Sequence, residues 1–214
     1  MALIRVINPN SNEDVTAGLA EAVAPFAIPG RIEIECETLE EGPFGIQTQR
    51  DVESVALPLV ARMKERPADA FVIACYSDPG MALARSEITE PVFGIQESAM
   101  TTALTRGDRF GVIAVADGSI PRHLKAIRAA GIDSRLAAER ALNLTVAETA
   151  TDGVFGRLEE VGRALVEKDG ADVLVLGCAG MARHRARLEQ ALGVPVIEPT
   201  QAAVSNALGA LLAP

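Results

Sequence analysis

The sequence predicts an α/β fold in which two similar lobes each hold a parallel β-sheet. Short apolar runs alternate with segments of helical spacing along most of the chain, which is the pattern of βαβ units. In addition, residues 68–104 can be laid over residues 171–208, so that strand, thiol, helix, strand and helix recur at a nearly constant offset. Cys75 and Cys178 coincide in this overlay, 103 positions apart. A duplicated unit explains this better than a chance likeness of two βαβ units.

The first lobe begins with the apolar run LIRVIN, which stops at Asn8-Pro9 as a parallel strand does. Ser11 or Asn12 can cap the helix that follows. The segment RIEIECETL alternates between apolar residues and glutamates, which predicts a strand near a sheet edge with one face exposed to solvent. The Gly/Pro-rich segment EGPFGIQTQ predicts a loop. The other predicted elements of this lobe are a helix through residues 52–63 that Pro58 is expected to kink, a strand at 70–75, a helix from Pro79, a strand at 91–95 and a helix near 97–105.

The second lobe starts with the strand RFGVIAV at residues 109–115. The predicted elements after it are a helix through 120–127, a strand near 135–142, a helix through 154–165, a strand at 173–177, a basic helix near 182–192, a strand at 194–197 and a closing helix at 200–212. Because the closing helix is expected to pack back on the first lobe, we assign residues 1–97 plus 200–214 to the first lobe and 98–199 to the second.

Composition argues against several classes of partner. The formal net charge is −9 and no local block of Lys or Arg compensates for it, so the protein is expected to repel phosphate backbones. Aromatic residues make up 3% of the chain, which leaves few side chains on which bases could stack. Nucleic acid is therefore not expected as a partner. No stretch approaches the ~18–20 apolar residues of a membrane span, and the N-terminus lacks the pattern of an export signal. We therefore expect no membrane partner and a cytoplasmic protein. Three cysteines, an odd number, fit reduced thiols better than a disulfide framework.

The two matched cysteines are the strongest candidates for chemistry. Cys75 and Cys178 each end a predicted parallel strand, where open α/β sheets bind their ligands. After Cys75, Asp78 is expected to be the N-cap and Pro79 the first residue of a helix, and after Cys178, Gly180 opens another helix, so that backbone N–H groups favour thiolate at both places. Packing alone explains a single cysteine well, but the matched pair favours catalysis. Cys36 lies on the apolar face of its strand and is interpreted as structural.

Other chemistries have little support in the sequence. His123 in PRHLK and His184 in ARHRAR are interpreted as parts of solvated helix faces, and no spacing of His, Cys and carboxylates predicts a metal site. The sequence contains no G-x-S-x-G elbow, no G-x-G-x-x-G motif and no Walker motif. Its three lysines lie in polar, helix-like contexts, which argues against pyridoxal chemistry, so no cofactor is expected.

Two opposed thiols suit the inversion of a carbon centre. A thiolate removes a proton from one face of the substrate while a thiol supplies another proton to the opposite face, without a cofactor. The carbanion has to be delocalised into an adjacent carbonyl. Backbone N–H groups after NPNSN, SDPG and CAG are expected to hold that oxygen as its charge develops.

The chain resembles the aspartate/glutamate racemase superfamily, and within it most closely the hydantoin and allantoin racemases. The matching pieces are INPNSN, EGPFGIQTQRD, ACYSDPGM, VFGIQESAM, LGCAGM and GVPVIEPTQAAV, which cover nearly the whole chain in the expected order. This resemblance implies two flavodoxin-like lobes related by a pseudo-twofold axis, with the active site in the cleft between them and Cys75 and Cys178 as the acid/base pair. It also implies a homo-oligomer. The positions that would line the substrate site are Asn10, Ile46, Ser77, Ala179 and Gly180.

Three positions depart from the family pattern. Ser77 stands where glycine is usual, GIQESA replaces GIGEAA, and Ala114-Val115 stand where relatives often carry threonines that touch the ligand. These changes leave the thiol pair intact and bear on substrate identity.

We expect racemisation of a 5-substituted hydantoin or a related cyclic ureide, because a neutral ring needs no arginine clamp and no arginine lies within an apolar motif. The alternatives are another cysteine-dependent member of the superfamily, namely an amino-acid racemase, a maleate-type cis-trans isomerase or a decarboxylase. If the protein is not an enzyme of this kind, the alternative is a small-ligand binding module or a thiol redox sensor.

Overall fold

Each half of the chain forms its own four-stranded parallel sheet in the computed structural model, which describes residues 1–213. Pro214, which the sequence places in the first lobe, lies outside the described residues. The first sheet has the order β2-β1-β3-β4 and the second the order β6-β5-β7-β8, so the same topology occurs twice. The strands are β1 (Ala2–Asn8), β2 (Ile32–Thr38), β3 (Ala70–Ile73), β4 (Val92–Gly94), β5 (Phe110–Ala114), β6 (Leu136–Ala141), β7 (Val173–Gly177) and β8 (Val196–Ile197).

Helices cover the sheets, which explains why three of the inner strands, β3, β5 and β7, are apolar throughout. Every residue of β3, β5 and β7 is buried, as expected for parallel strands with helices on both faces. The helices are α1 (Glu13–Val23), α2 (Gln49–Ser54), α3 (Ala56–Glu65), α4 (Met81–Glu87), α5 (Ile95–Ala103), α6 (Ile120–Ala129), α7 (Val146–Thr149), α8 (Phe155–Glu167), α9 (Arg185–Leu192) and α10 (Pro199–Leu212). The predicted α/β fold with two similar parallel-sheet lobes is confirmed.

Two helices join the halves. Helix α5 follows the first sheet but packs on β7 and β8 of the second sheet, whereas α10 follows the second sheet and packs on β3 and β4 of the first. The two helices also pack against each other. The division into residues 1–97 plus 200–214 and residues 98–199 remains our proposal.

Several local predictions differ from the structure. The strand expected at 70–75 ends at Ile73, which leaves Cys75 in the following loop. The helix expected from Pro79 begins at Met81, because Gly80 adopts a left-handed conformation with a φ of 69°. The helix expected to kink at Pro58 breaks earlier, at Val55, and the proline lies in the first turn of α3, where it costs no hydrogen bond.

The strand β2 lies at the edge of the first sheet, as predicted, but the face that carries its glutamates is not fully exposed to solvent. The Glu37 side chain is buried, because it pairs with the buried Arg5 at 3.2 Å and with Arg66 at 2.8 Å. The acidic run therefore serves partly as a counter-charge for Arg5 within the first lobe.

Candidate active site

Residues from both halves line a partly enclosed cavity at the carboxyl ends of the two sheets, with a volume of about 50 Å³. This is several times the ~10–15 Å³ that one water molecule needs, and it is the place where open α/β sheets bind ligands. The residues that the sequence singled out all lie on this cavity, namely Cys75, Cys178, Asn10, Ile46, Ser77, Ala179 and Gly180.

The Cys75 thiol is half-buried in the loop after β3. The backbone N–H of Ser77 donates a hydrogen bond to its sulfur. Burial raises the pKa of the thiol to about 12, and the nearby Cys178 and Asp78 act in the same direction, whereas the Ser77 N–H and the Arg122 guanidinium favour the thiolate. Burial therefore disfavours charge on Cys75, and the Ser77 N–H and the Arg122 guanidinium oppose that effect.

The Cys178 thiol follows β7 directly and is only 8% exposed. It begins a short 3₁₀ turn, Ala179–His184, and the backbone N–H of Gly180 donates to its sulfur at 3.4 Å. Burial raises the pKa of this thiol, and the Glu198 carboxylate raises it further. Each cysteine thus accepts a hydrogen bond from the N–H two residues later, which reproduces the internal repeat at atomic level.

Thr149 is a second partner of Cys178 and is fully buried at the end of α7. Its hydroxyl oxygen lies 2.7 Å from the Val146 carbonyl and 3.7 Å from the Cys178 sulfur. A hydroxyl has one hydrogen to donate. That hydrogen can go to the Val146 carbonyl or to the Cys178 sulfur, and in the second arrangement the hydroxyl lowers the pKa of the thiol.

Asn10 is held in the loop after β1 by a network of asparagines. Its Oδ1 accepts from Asn8 Nδ2 at 3.1 Å and from the Asn12 backbone N–H at 2.9 Å. These two bonds fix the orientation of the amide, and no described residue accepts a hydrogen bond from its Nδ2. The backbone N–H groups of Asn10, Ser11, Asn12 and Asp14 are hydrogen-bonded within the protein, so these groups do not supply the oxyanion site that the sequence suggested.

Asp78 has a different role from the predicted one. Its carboxylate accepts from the backbone N–H groups of Gln96 at 2.9 Å and Glu97 at 3.0 Å, so it caps α5 rather than the helix after Cys75. To reach them, Asp78 adopts a φ of 42°. Burial raises the pKa of this carboxyl to about 7, although both N–H bonds favour the charged form.

Arg122 also lines the cavity, although it does not lie within an apolar motif of the sequence. It belongs to α6 of the second half, yet its Nε donates to Ser77 Oγ at 2.9 Å and its Nη2 to the Gln47 carbonyl at 3.1 Å, both in the first half. A third bond joins Nη1 to the Gly118 carbonyl at 3.2 Å. The side chain therefore ties the two halves together beside the first thiol loop.

The histidines are buried, which corrects the prediction of solvated helix faces. His123 is 2% exposed, its Nδ1 is hydrogen-bonded to the buried Glu139 carboxylate, and its ring packs edge-on against Tyr76 with centroids 5.1 Å apart. His123 and Tyr76 both lie on the cavity. His184 is 4% exposed and contacts Phe155, with the ring centroids 6.4 Å apart.

Cys36 lies in β2 and packs against the core, and burial raises its pKa to about 12. Among residues 1–213, no three His, Cys, Asp or Glu side chains come together as metal ligands. In the same residues, no helix combines the length and apolar character needed to cross a bilayer.

Sequence reasoning missed several residues of this site for identifiable reasons. They include Tyr76, Arg122, His123 and Val146, which line the cavity, and Thr149, which reaches it through Cys178. The segment PRHLK has the polarity of a surface helix, which hid Arg122 and His123. Val146 could have been found by extending the internal repeat from Ile46, which lies 100 positions earlier.

Comparison with known proteins agrees with this geometry. The profile of the Asp/Glu/Hydantoin racemase family matches residues 4–207. The hydantoin racemase of Paenarthrobacter aurescens is 34% identical over 97% of this chain and 91% of that protein. The hydantoin racemase of Pseudomonas sp. strain NS671 is 35% identical over 95% of this chain and 84% of that protein.

A solved structure shows the same fold. The allantoin racemase from Klebsiella pneumoniae superposes with a TM-score of 0.92 at 30% sequence identity, over 99% of this chain and 89% of that one. The hydantoin racemases and the solved allantoin racemase structure therefore each match nearly the whole of this chain. The chain belongs to the Asp/Glu/Hydantoin racemase family and is an isomerase of the racemase class.

Proposed function

We propose that this protein is a cofactor-independent racemase that inverts the stereocentre of a 5-substituted hydantoin or a related cyclic ureide, with Cys75 and Cys178 as its acid/base pair. The observation that carries the proposal is that both thiols, contributed by corresponding loops of the two lobes, line one small cavity. The names of the relatives, hydantoin racemase and allantoin racemase, support the choice of substrate class.

In the proposed reaction, the thiolate of one cysteine takes the proton from C5 of the ring, and the electron pair of the broken C–H bond moves into the adjacent carbonyl. The thiol of the other cysteine then gives its proton to the opposite face of C5. One thiol and one thiolate remain, with their positions exchanged. The reverse assignment serves the other enantiomer.

The developing enolate oxygen needs a hydrogen-bond donor. The Nδ2 group of Asn10 is our candidate, because its amide is fixed through Oδ1 and the residue lies on the cavity. The N–H groups of Ser77 and Gly180 are directed at the two sulfurs, where they stabilise whichever thiolate is present.

The side chain at C5 is the next quantity to test. 5-Methylhydantoin carries the simplest substituent that makes C5 a stereocentre and is therefore the first probe, and 5-benzylhydantoin tests whether a bulky side chain is accepted.

Arg122 gives a second candidate a specific basis. A free amino acid needs a cation for its carboxylate, and the guanidinium on the cavity provides one. An amino-acid racemase with the same thiol pair is therefore the alternative, although the three described hydrogen bonds of Arg122 already engage its fork with protein oxygens.

The experiment is a panel of single enantiomers followed by circular dichroism: 5-methylhydantoin, 5-benzylhydantoin, allantoin, alanine, aspartate and glutamate. Spontaneous racemisation is subtracted with an enzyme-free sample. We expect the signal of at least one cyclic ureide to decay to zero much faster than its blank. Decay only with an amino acid would establish the second candidate, and no decay with any compound would contradict both.

A further inference from the structure

One imidazole nitrogen of His123 is left open on the wall of the cavity. The other nitrogen, Nδ1, is hydrogen-bonded to Glu139 Oε1 at 2.5 Å, and the ring packs edge-on against Tyr76. Among residues 1–213, Nε2 has no hydrogen-bond partner, and it is not one of the fully enclosed polar atoms that lack one. Because His123 is 2% exposed and lines the cavity, we place this nitrogen on the cavity.

Glu139 determines which nitrogen of the ring carries the hydrogen. Its side chain is 1% exposed, and among the described residues only His123 makes a hydrogen bond to its carboxylate. A carboxylate has no hydrogen to donate, so Nδ1 is the donor, and in a neutral imidazole the lone pair then lies on Nε2. His123 therefore presents a hydrogen-bond acceptor to the cavity, with a buried negative charge behind it.

The other polar groups of the cavity wall are donors. The Nδ2 group of Asn10 has its orientation fixed through Oδ1, and the Arg122 guanidinium carries a positive charge. A ligand that satisfies both Asn10 and His123 needs an acceptor and a donor. The ring of a cyclic ureide carries both, because its N–H groups alternate with carbonyls. A carboxylate has only acceptors, and the charge of Glu139 repels it.

We propose that His123 is a substrate-binding residue whose Nε2 accepts a hydrogen bond from a ring N–H of the substrate, and that this bond selects cyclic ureides. Glu139 is the positioning residue that holds the imidazole with its acceptor on the cavity. The inference rests on the proposed function, since it names the group of the substrate ring that the site recognises.

Tyr76 allows binding to be measured without turnover. It is the one tyrosine of a chain without tryptophan, and it lies on the cavity against His123, so its fluorescence reports occupancy of the site. The ligands are hydantoin, 1-methylhydantoin and 3-methylhydantoin, which are achiral and lose one N–H at a time. For one of the two methylated rings, we expect the dissociation constant to rise about tenfold, the effect of one lost hydrogen bond. The other methylated ring should bind more nearly like hydantoin.

Two substitutions separate ligand binding from packing. An asparagine amide reaches about as far as Nδ1, so His123→Asn keeps a donor for Glu139 and removes the acceptor on the cavity. A glutamine amide reaches about as far as Nε2, so His123→Gln keeps an acceptor there and leaves Glu139 without its partner. We expect His123→Asn to bind hydantoin about tenfold more weakly than the wild type and to treat the three rings alike.

The glutamine variant is the matched control. It should bind hydantoin more tightly than His123→Asn, although urea unfolding should show it to be the less stable of the two, because a buried carboxylate has lost its donor. A purely structural role of His123 predicts the opposite order of affinities, with His123→Asn the closer to the wild type.

Nitrogen NMR of protein labelled in histidine reads the ring directly and needs no variant to be stable. The chain has two histidines, and a short-range assignment or the spectrum of His123→Asn identifies the ring concerned. In the wild type, we expect a hydrogen on Nδ1 and none on Nε2. Saturation with hydantoin should move the Nε2 signal, whereas the methylated ring that binds weakly should not.

Several results would overturn the inference and leave the proposed racemase standing. They are a hydrogen on Nε2 in the free protein, an Nε2 signal that hydantoin at saturation leaves unmoved, equal affinity for all three rings in the wild type, and unchanged hydantoin affinity in folded His123→Asn. A shift of the Nε2 signal with alanine but not with hydantoin would assign this nitrogen to an ammonium group instead. No binding of any of the three rings would contradict the proposed substrate class, and this inference with it.

Discussion

Cys75 and Cys178 follow the third strand in the order of their own sheets, and each accepts a hydrogen bond from the backbone N–H two residues later. The same local geometry therefore occurs twice, and both copies face one cavity. Because each loop comes from a different lobe, the arrangement offers a substrate one sulfur from each half of the chain. The predictions below follow from this pairing.

Cys75→Ser and Cys178→Ser should each reduce racemisation of 5-methylhydantoin by at least about a thousandfold, because a two-base reaction needs both proton carriers. Each variant retains one thiol and should still exchange the C5 hydrogen of one enantiomer with deuterated water. The two variants should prefer opposite enantiomers, as shown by NMR of each enantiomer separately. A decarboxylase would tolerate one of the two losses, so full activity in either variant would contradict the pairing.

Thr149→Val should reduce kcat by about tenfold, since it removes the hydroxyl that hydrogen-bonds to the Cys178 sulfur, an interaction worth about 1 kcal/mol. Valine has nearly the same shape as threonine, so the packing of α7 is preserved. Thr149→Ser is the matched control, which keeps the hydroxyl and should retain most of the activity. Equal activity of the valine and serine variants would show that the hydroxyl has no part in turnover.

Gly180→Ala should reduce kcat/KM by about tenfold or more. A Cβ at this position would lie 2.9 Å from Thr149 Oγ1 and 3.6 Å from the Cys178 sulfur, so the second thiol loop has to shift. Gly156→Ala in α8 is the control, because nothing lies within 4 Å of its added Cβ. The control should keep full activity and gain up to about 1 kcal/mol of stability, as glycine is a poor helix former. Similar kinetics for both variants would contradict the close approach at Gly180.

Asp78→Asn should remove a pH-dependent part of the stability. Burial raises the pKa of the Asp78 carboxyl from 3.8 to about 7, so the folded protein keeps a proton that the unfolded chain loses near its ordinary pKa. The stabilisation from this group is fully present below about pH 4 and falls by up to about 4 kcal/mol as the pH rises towards 7. Asparagine has the same shape, tolerates the φ of 42° and does not titrate.

Urea unfolding of the wild type and Asp78→Asn at about pH 4.5 and 7.5 measures this contribution. The wild type should lose stability relative to the variant between the two values. A difference that stays constant with pH would show that the carboxyl titrates normally.

The fold and the two thiols could be predicted because both depend on local patterns. Apolar runs of strand length, helical spacing and the repeated cysteine are all visible along one stretch of chain. Asp78 was assigned to the wrong helix because a sequence gives no sign that a residue with positive φ reaches the start of α5, 17 positions later. The capping preference of aspartate assigned Asp78 to the helix nearest in sequence. In the folded chain its carboxylate instead accepts hydrogen bonds at the start of α5.

The polar wall of the cavity could not be predicted for a related reason. Arg122 and His123 lie on an amphipathic helix whose composition is that of a solvated surface, but in the folded chain Ser77 and Tyr76 of the first lobe contact their side chains. Contacts between lobes join residues such as Ser77 and Arg122 that are 45 positions apart. Charge and spacing within one segment carry no information about such partners.

The most direct measurement of the central claim is the isotopic content of both enantiomers early in the reaction. One enantiomer of 5-methylhydantoin is incubated with the enzyme in deuterated water, and the reaction is stopped after a small conversion. Two thiols on opposite faces predict deuterium at C5 of the inverted product while the recovered starting enantiomer keeps its protium. Equal deuterium in both enantiomers would mean that a single group removes and returns the proton, and would contradict the account.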